Sequence, residues 1–105
     1  MSRTANAARG EASFRVGDAT LLLRPSFAAL VAAEGELGPL FELADRAAEG
    51  RISLSEIVIL FDHLSSGGRP SSVDRAAIGE ALVTSGLAAA MPPLRAVLVQ
   101  LLQGR

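Results

Sequence analysis

Apolar and polar side chains alternate with period two from Glu11 to Arg24, and beyond Pro25 the apolar positions recur at helical spacing. That change of period predicts a hairpin followed by helices. Folding EASFRV onto ATLLLR across Gly17-Asp18 sets Val16 against Ala19, Phe14 against Leu21 and Ala12 against Leu23 on one oily face. The opposite face receives Ser13, Arg15, Thr20 and Leu22, with Glu11 opposite Arg24. Gly17 at the first turn position suits a type II′ turn. A lone hairpin is marginal in water, so the oily face must lie on helices. Both outer edges carry unpaired backbone groups without proline or lysine to protect them. Self-association through these edges is therefore expected, and Leu22, apolar on a polar face, marks a place for something to cover.

Pro25 and Ser26 predict the start of a first helix, with Phe27, Leu30 and Val31 as its apolar stripe. Glu34 falls within that stripe and allows two readings. Either it sits at the helix end, reaching water or an arginine, or it is a buried carboxylate held by Arg24. Gly35 and Gly38 break this helix, and Pro39 opens a second one running to Glu49. Its inward residues are Leu40, Leu43, Ala44 and Ala47, and Glu42 with Arg46 forms an outer i,i+4 pair.

Ser53-Leu54-Ser55-Glu56 is a capping box, and Ile52 with Ile57 makes the accompanying hydrophobic staple. The helix it opens carries Leu54, Ile57, Leu60, Phe61 and Leu64 on one face, widened by Val58. That breadth makes it the expected centre of the core. Ile59 points away from this face, as a stray apolar residue or as part of a contact surface. The loop SSGGRPSS has a phosphate-binding flavour but lacks the lysine ending of a P-loop. Ser71 with Asp74 resembles a further cap, opening a helix to Ser85 whose inner arc is Ala77, Ile78, Ala81 and Leu82. Gly86 ends it, Ala88 to Met91 form a short turn, and Pro92-Pro93 interrupt the chain. The last helix, Pro93 to Gln103, shows Leu94, Val97, Leu98, Leu101 and Leu102 on a wide arc, with Gln100 and Gln103 opposite and Val99 at the flank. The expected class is α+β and mainly α: an N-terminal two-stranded antiparallel hairpin packed on a bundle of four to five short helices. Residues 11–104 form the expected single domain, after a disordered stretch at 1–10.

Composition narrows the function by exclusion. Half of the 105 residues are apolar and only four are aromatic, so the core is aliphatic. The net charge of −1, with no basic block, argues against a nucleic-acid module. No cysteine is present, which excludes disulfide and thiolate chemistry and fits a reducing cytoplasm. No apolar run reaches the ~18 residues of a membrane span, and no signal-peptide core opens the chain. His63 is the only histidine, so no metal site is built around it, and no serine stands at a nucleophile's spacing. It reads as a surface or capping residue; an enzyme would instead gather a polar cleft around Asp62 and His63. No catalytic, cofactor-binding or metal-binding residues are assigned.

The segments RPSFAALVAAEGELG, AAEGRIS and SGLAAAMPPLRAVLVQLL, in this order after a short hairpin, carry a family resemblance. The chain resembles the small tail-assembly proteins of gene transfer agents and related tailed phages, described variously as tail tube proteins and tail assembly chaperones. The resemblance covers about Arg9 to Gly104. It implies a bacterial, non-enzymatic chaperone that keeps the long apolar helix of the tape-measure protein soluble in the cytoplasm until tail tube subunits polymerise around it. The alternative is a structural tail component, tube or connector, that stays in the particle. Leu22, Ile59 and Val99, the apolar residues left outside the inward faces, are the expected partner-binding positions.

Overall fold

A computed structural model of the chain describes residues 11–67 and 69–103. The expectation of disorder at Met1 to Gly10 lies outside the described residues. The elements run β1 (Ala12–Val16), β2 (Ala19–Leu23), α1 (Phe27–Leu37), α2 (Leu40–Ala48), α3 (Leu54–Ser65), α4 (Arg75–Ser85), a 3-10 turn (Leu87–Ala90) and α5 (Met91–Gln103). The expected class and order hold.

The hairpin forms in the expected register, from Val16 opposite Ala19 to Ala12 opposite Leu23. Gly17 takes φ of 60° and no other residue type has positive φ among the described residues, so the turn has the signs of type II′. Phe14, Leu21 and Leu23 are buried on one face, while Ser13, Arg15 and Thr20 are exposed on the other. Glu11 accepts from Arg24 Nε at 3.2 Å and closes the open end of the ladder.

α3 is the central helix, packed against α1, α4 and β2. Its start is as the sequence requires: Ser53 Oγ accepts from the Glu56 N–H at 3.1 Å, and Glu56 Oε1 accepts from the Ser53 N–H at 2.9 Å. Ile57, Leu60, Phe61 and Leu64 are buried, whereas Leu54, at the exposed first turn, is not. Phe61 is fully buried, and its ring lies 5.4 Å from that of Phe14 at a tilt of 59°. This tilted pair joins the hairpin to the central helix in a geometry that aromatic quadrupoles favour. Ile78 and Leu82 of α4 and Leu94 and Val97 of α5 complete the core.

Several local expectations are corrected. Arg46 does not bond Glu42; it reaches forward to Glu56, with Nη1–Oε1 at 3.2 Å and Nη2–Oε2 at 2.7 Å. A bidentate fork on a carboxylate already held by the capping box outcompetes a solvated i,i+4 pair. Asp74, not Ser71, caps α4, its Oδ1 accepting from the Ala77 N–H at 2.9 Å. Pro92 and Pro93 do not interrupt the chain but lie inside the first turn of α5. First-turn N–H groups have no partner within the helix, so proline loses nothing there.

Candidate functional site: an apolar groove between α1, α2 and α5

The largest correction concerns α1. Only Leu30 of its stripe packs against the core; Phe27 is 85% exposed and Val31 51%. Ala33 is the one buried residue of this helix. A methyl side chain permits close approach to α3, Leu30 and Leu37 pack beside it, and Phe27 and Val31 are left on the outer side. There they meet Leu40 and Phe41 of α2 and Leu101 and Leu102 of α5 around a groove of about 230 Å³. Phe41 is 76% exposed and Leu102 51%, so two phenyl rings and a leucine stand at the mouth.

Glu34 sets the angle of this corner. It is exposed and takes neither an arginine nor Arg24; its Oε2 accepts the Leu40 N–H at 3.0 Å. Pro39 precedes α2 with no side chain able to cap it, so the carboxylate supplies the missing acceptor. The Glu34 carbonyl meanwhile accepts the Gly38 N–H at 2.9 Å, where Gly38 turns the chain at φ of 81°. One residue therefore ends α1 and begins α2. That fixes Phe27 and Val31 relative to Phe41.

On the other side, a charged network ties α1 to α3 and α4. Glu36 accepts from Arg75 at 2.9 and 2.6 Å and lies 2.6 Å from His63 Nε2. Arg75 also donates to Asp62 Oδ2 from Nε at 3.0 Å and from Nη2 at 2.9 Å. Arg69 pairs with Asp62 Oδ1 at 2.5 Å and donates to Ser65 Oγ at 3.1 Å. A polar cluster does surround Asp62 and His63, but its geometry is that of a clamp. The Ser65 and Ser66 hydroxyls donate to the carbonyls of Asp62 and His63, and no hydroxyl among the described residues bonds the imidazole. Among the described residues no group of three or more His, Cys, Asp or Glu is placed to hold a metal ion.

These ion pairs have a pH signature. Hydrogen bonds from Arg75, then from His63, lower the Glu36 carboxyl from an ordinary 4.5 to about 2. Arg46, then the Ser53 backbone, lower Glu56 to about 2 as well. A depressed carboxylate stabilises the fold above its unfolded pKa, and the contribution is lost as pH falls through the folded value. Melting temperature is therefore expected to fall as pH drops from 4.5 towards 2. In Arg75→Gln the acid-induced fall should be shallower, because Glu36 has lost its main partner. Equal pH dependence in parent and variant would show that the clamp adds no stability.

The three expected binding positions do not meet in one place. Leu22 is half-buried and lines a different recess, between β2 and α1. Ile59 is also half-buried and Val99 exposed, and neither lines either recess. The groove residues Phe27 and Val31 belong to the apolar stripe of the first helix and Leu102 to the wide apolar arc of the last, so spacing alone does not separate them from the core.

The site is thus an open apolar groove on a small, mainly helical fold. The chain belongs to the phage tail tube protein family GTA-gp10, whose model matches residues 9–104. No curated protein and no solved structure matches it. Membership makes it a protein of a phage-type tail, consistent with the gene transfer agent resemblance, and such a family speaks for a non-enzymatic role. No single helix among the described residues is long and apolar enough to cross a membrane.

Proposed function

We propose that the chain is a structural component of a phage-type tail, bound to neighbouring tail proteins through the groove between α1, α2 and α5. The observation that carries this reading is the pair of exposed phenyl rings, Phe27 and Phe41, on the rim of one recess. Isolated exposed apolar residues are ordinary, but a cluster around a concavity marks an interaction surface. The family description names the tail tube, and so favours a protein retained in the particle over one that leaves it.

A second reading keeps the chaperone role and draws on the shape of the same groove. Walls from three helices suit one amphipathic helix with anchors at i, i+3 and i+4, such as an apolar segment of the tape-measure protein. The sheet content also favours it: two strands among the described residues are few for a tube wall. Quantitative mass spectrometry of cell lysates and purified particles separates the two. A structural component is expected in particles in fixed ratio to the other tail proteins. Abundance in lysates with absence from particles would overturn the structural reading and leave the chaperone one.

A further inference from the structure

The second recess lies on the other side of α1. It has a volume of about 470 Å³, between Thr20 and Leu22 of β2 and the small side chains Ala28, Ala29 and Ala32 of α1. Leu64, Ser65 and Ser66, at the end of α3, close one part of it.

The backbone of β2 faces this slot with its bonds unmade. In the ladder that Val16 and Ala19 open beside a two-residue turn, hydrogen-bonded pairs alternate with pairs that are not. Ser13–Leu22 and Arg15–Thr20 are the latter, so the N–H and C=O of Thr20 and Leu22 point away from β1. No described residue bonds them. Arg24 shares their parity, and its N–H is taken by the Leu64 carbonyl at 2.9 Å. That bond shows which way the free edge faces, because Leu64 lines the slot. An open strand edge thus runs beside a cavity walled by a helix.

The lining also has a sign. Arg24, His63 and Arg69 border the slot, and no acidic side chain does. Each has an acidic partner, Glu11, Glu36 and Asp62 respectively, set outside the lining. The charged groups that the lining itself offers are thus the guanidiniums of Arg24 and Arg69, whose paired carboxylates are not part of it.

We infer that the slot between β2 and α1 receives one extended segment of a partner protein, added as a third strand on Thr20 and Leu22 and carrying acidic residues towards Arg24 and Arg69. Backbone groups supply the pairing, and alternate side chains of the segment enter the slot. Opposite the three alanines, those side chains are small and apolar. The inference does not depend on the groove of the proposed function, so either can fail alone.

The test uses a panel of fluorescein-labelled heptapeptides that alternate Ala or Val with Ser or Thr, each made with two aspartates or two asparagines at one end. Binding to the full chain is read by anisotropy, and amide exchange at Thr20 and Leu22 by NMR. An aspartate peptide is expected to bind and to slow exchange at both amides. The asparagine version should bind more weakly. Ala32→Trp, an exposed helical position, should fill the slot and weaken binding at least about tenfold with unchanged melting. Three results would overturn the inference: no peptide binds, binding leaves the two amides unprotected, or they are already protected in the free chain in a concentration-dependent way. The last would assign the edge to a second copy. Equal affinity for both end groups would remove the acidic requirement.

Discussion

Phe61→Ala is expected to cost about 3–5 kcal/mol, the usual range for emptying a fully buried aromatic site. Phe61 is fully buried on α3 and holds the hairpin through its tilted contact with Phe14. A domain of this kind holds about 5–15 kcal/mol in total, so the variant should stand close to unfolding. Ser53→Ala, which removes one half of the capping box, should cost only about 1 kcal/mol. Urea denaturation of the two variants measures the ranking, provided the slopes stay equal. Similar losses would show that the Phe14–Phe61 contact does not organise the core.

The second large effect belongs to the groove. Replacing Phe27 and Phe41 together by aspartate should leave folding nearly untouched, because both side chains are exposed. If each ring is buried on a partner, it contributes about 1.5–3 kcal/mol there, so the double variant should bind about a hundredfold or more weakly. In a producing cell, the expected result is a normally abundant variant chain and few complete tails. Normal tails with the double variant would remove the groove from assembly on either reading of its occupant. A matched control is Val83→Asp on α4, an exposed apolar residue that lines neither recess.

The hairpin was legible to the residue because three independent signals agreed. Alternation gave the faces, Gly17-Asp18 gave the turn, and pairing across that turn set Phe14 opposite Leu21 on the apolar side. The capping box of α3 was equally clear, since its chemistry is local. Other misreadings share a cause: spacing groups residues on one side of a helix but does not say which side meets the core. In α1 the face that meets the core is Ala29, Leu30, Ala33 and Leu37, which takes only one residue of the apolar stripe and leaves Phe27 and Val31 outside. Arg46 shows the same limit for charges, since its partner Glu56 is ten residues away. Glu34 was recognised as anomalous, but its partner is a backbone N–H, which no pattern of side chains displays. The slot was legible only in fragments. Open edges and Leu22 could be read from sequence, whereas the wall of α1 beside them could not.

The way α1 is mounted bears on how this surface can change over generations. The fold uses one side of this helix: Ala33 is buried, Ala29, Leu30 and Leu37 pack against the core, Ser26 caps its start, and Glu34 and Glu36 anchor its end. Phe27 and Val31 face one recess, Ala28 and Ala32 the other, and none of the four is buried. Substitutions at such exposed positions usually shift stability by no more than about 0.5 kcal/mol. Selection on binding can therefore act on α1 almost free of selection on folding. A tail protein must fit neighbours that themselves diverge, and here one helix can follow them while the hairpin and α3 stay as they are.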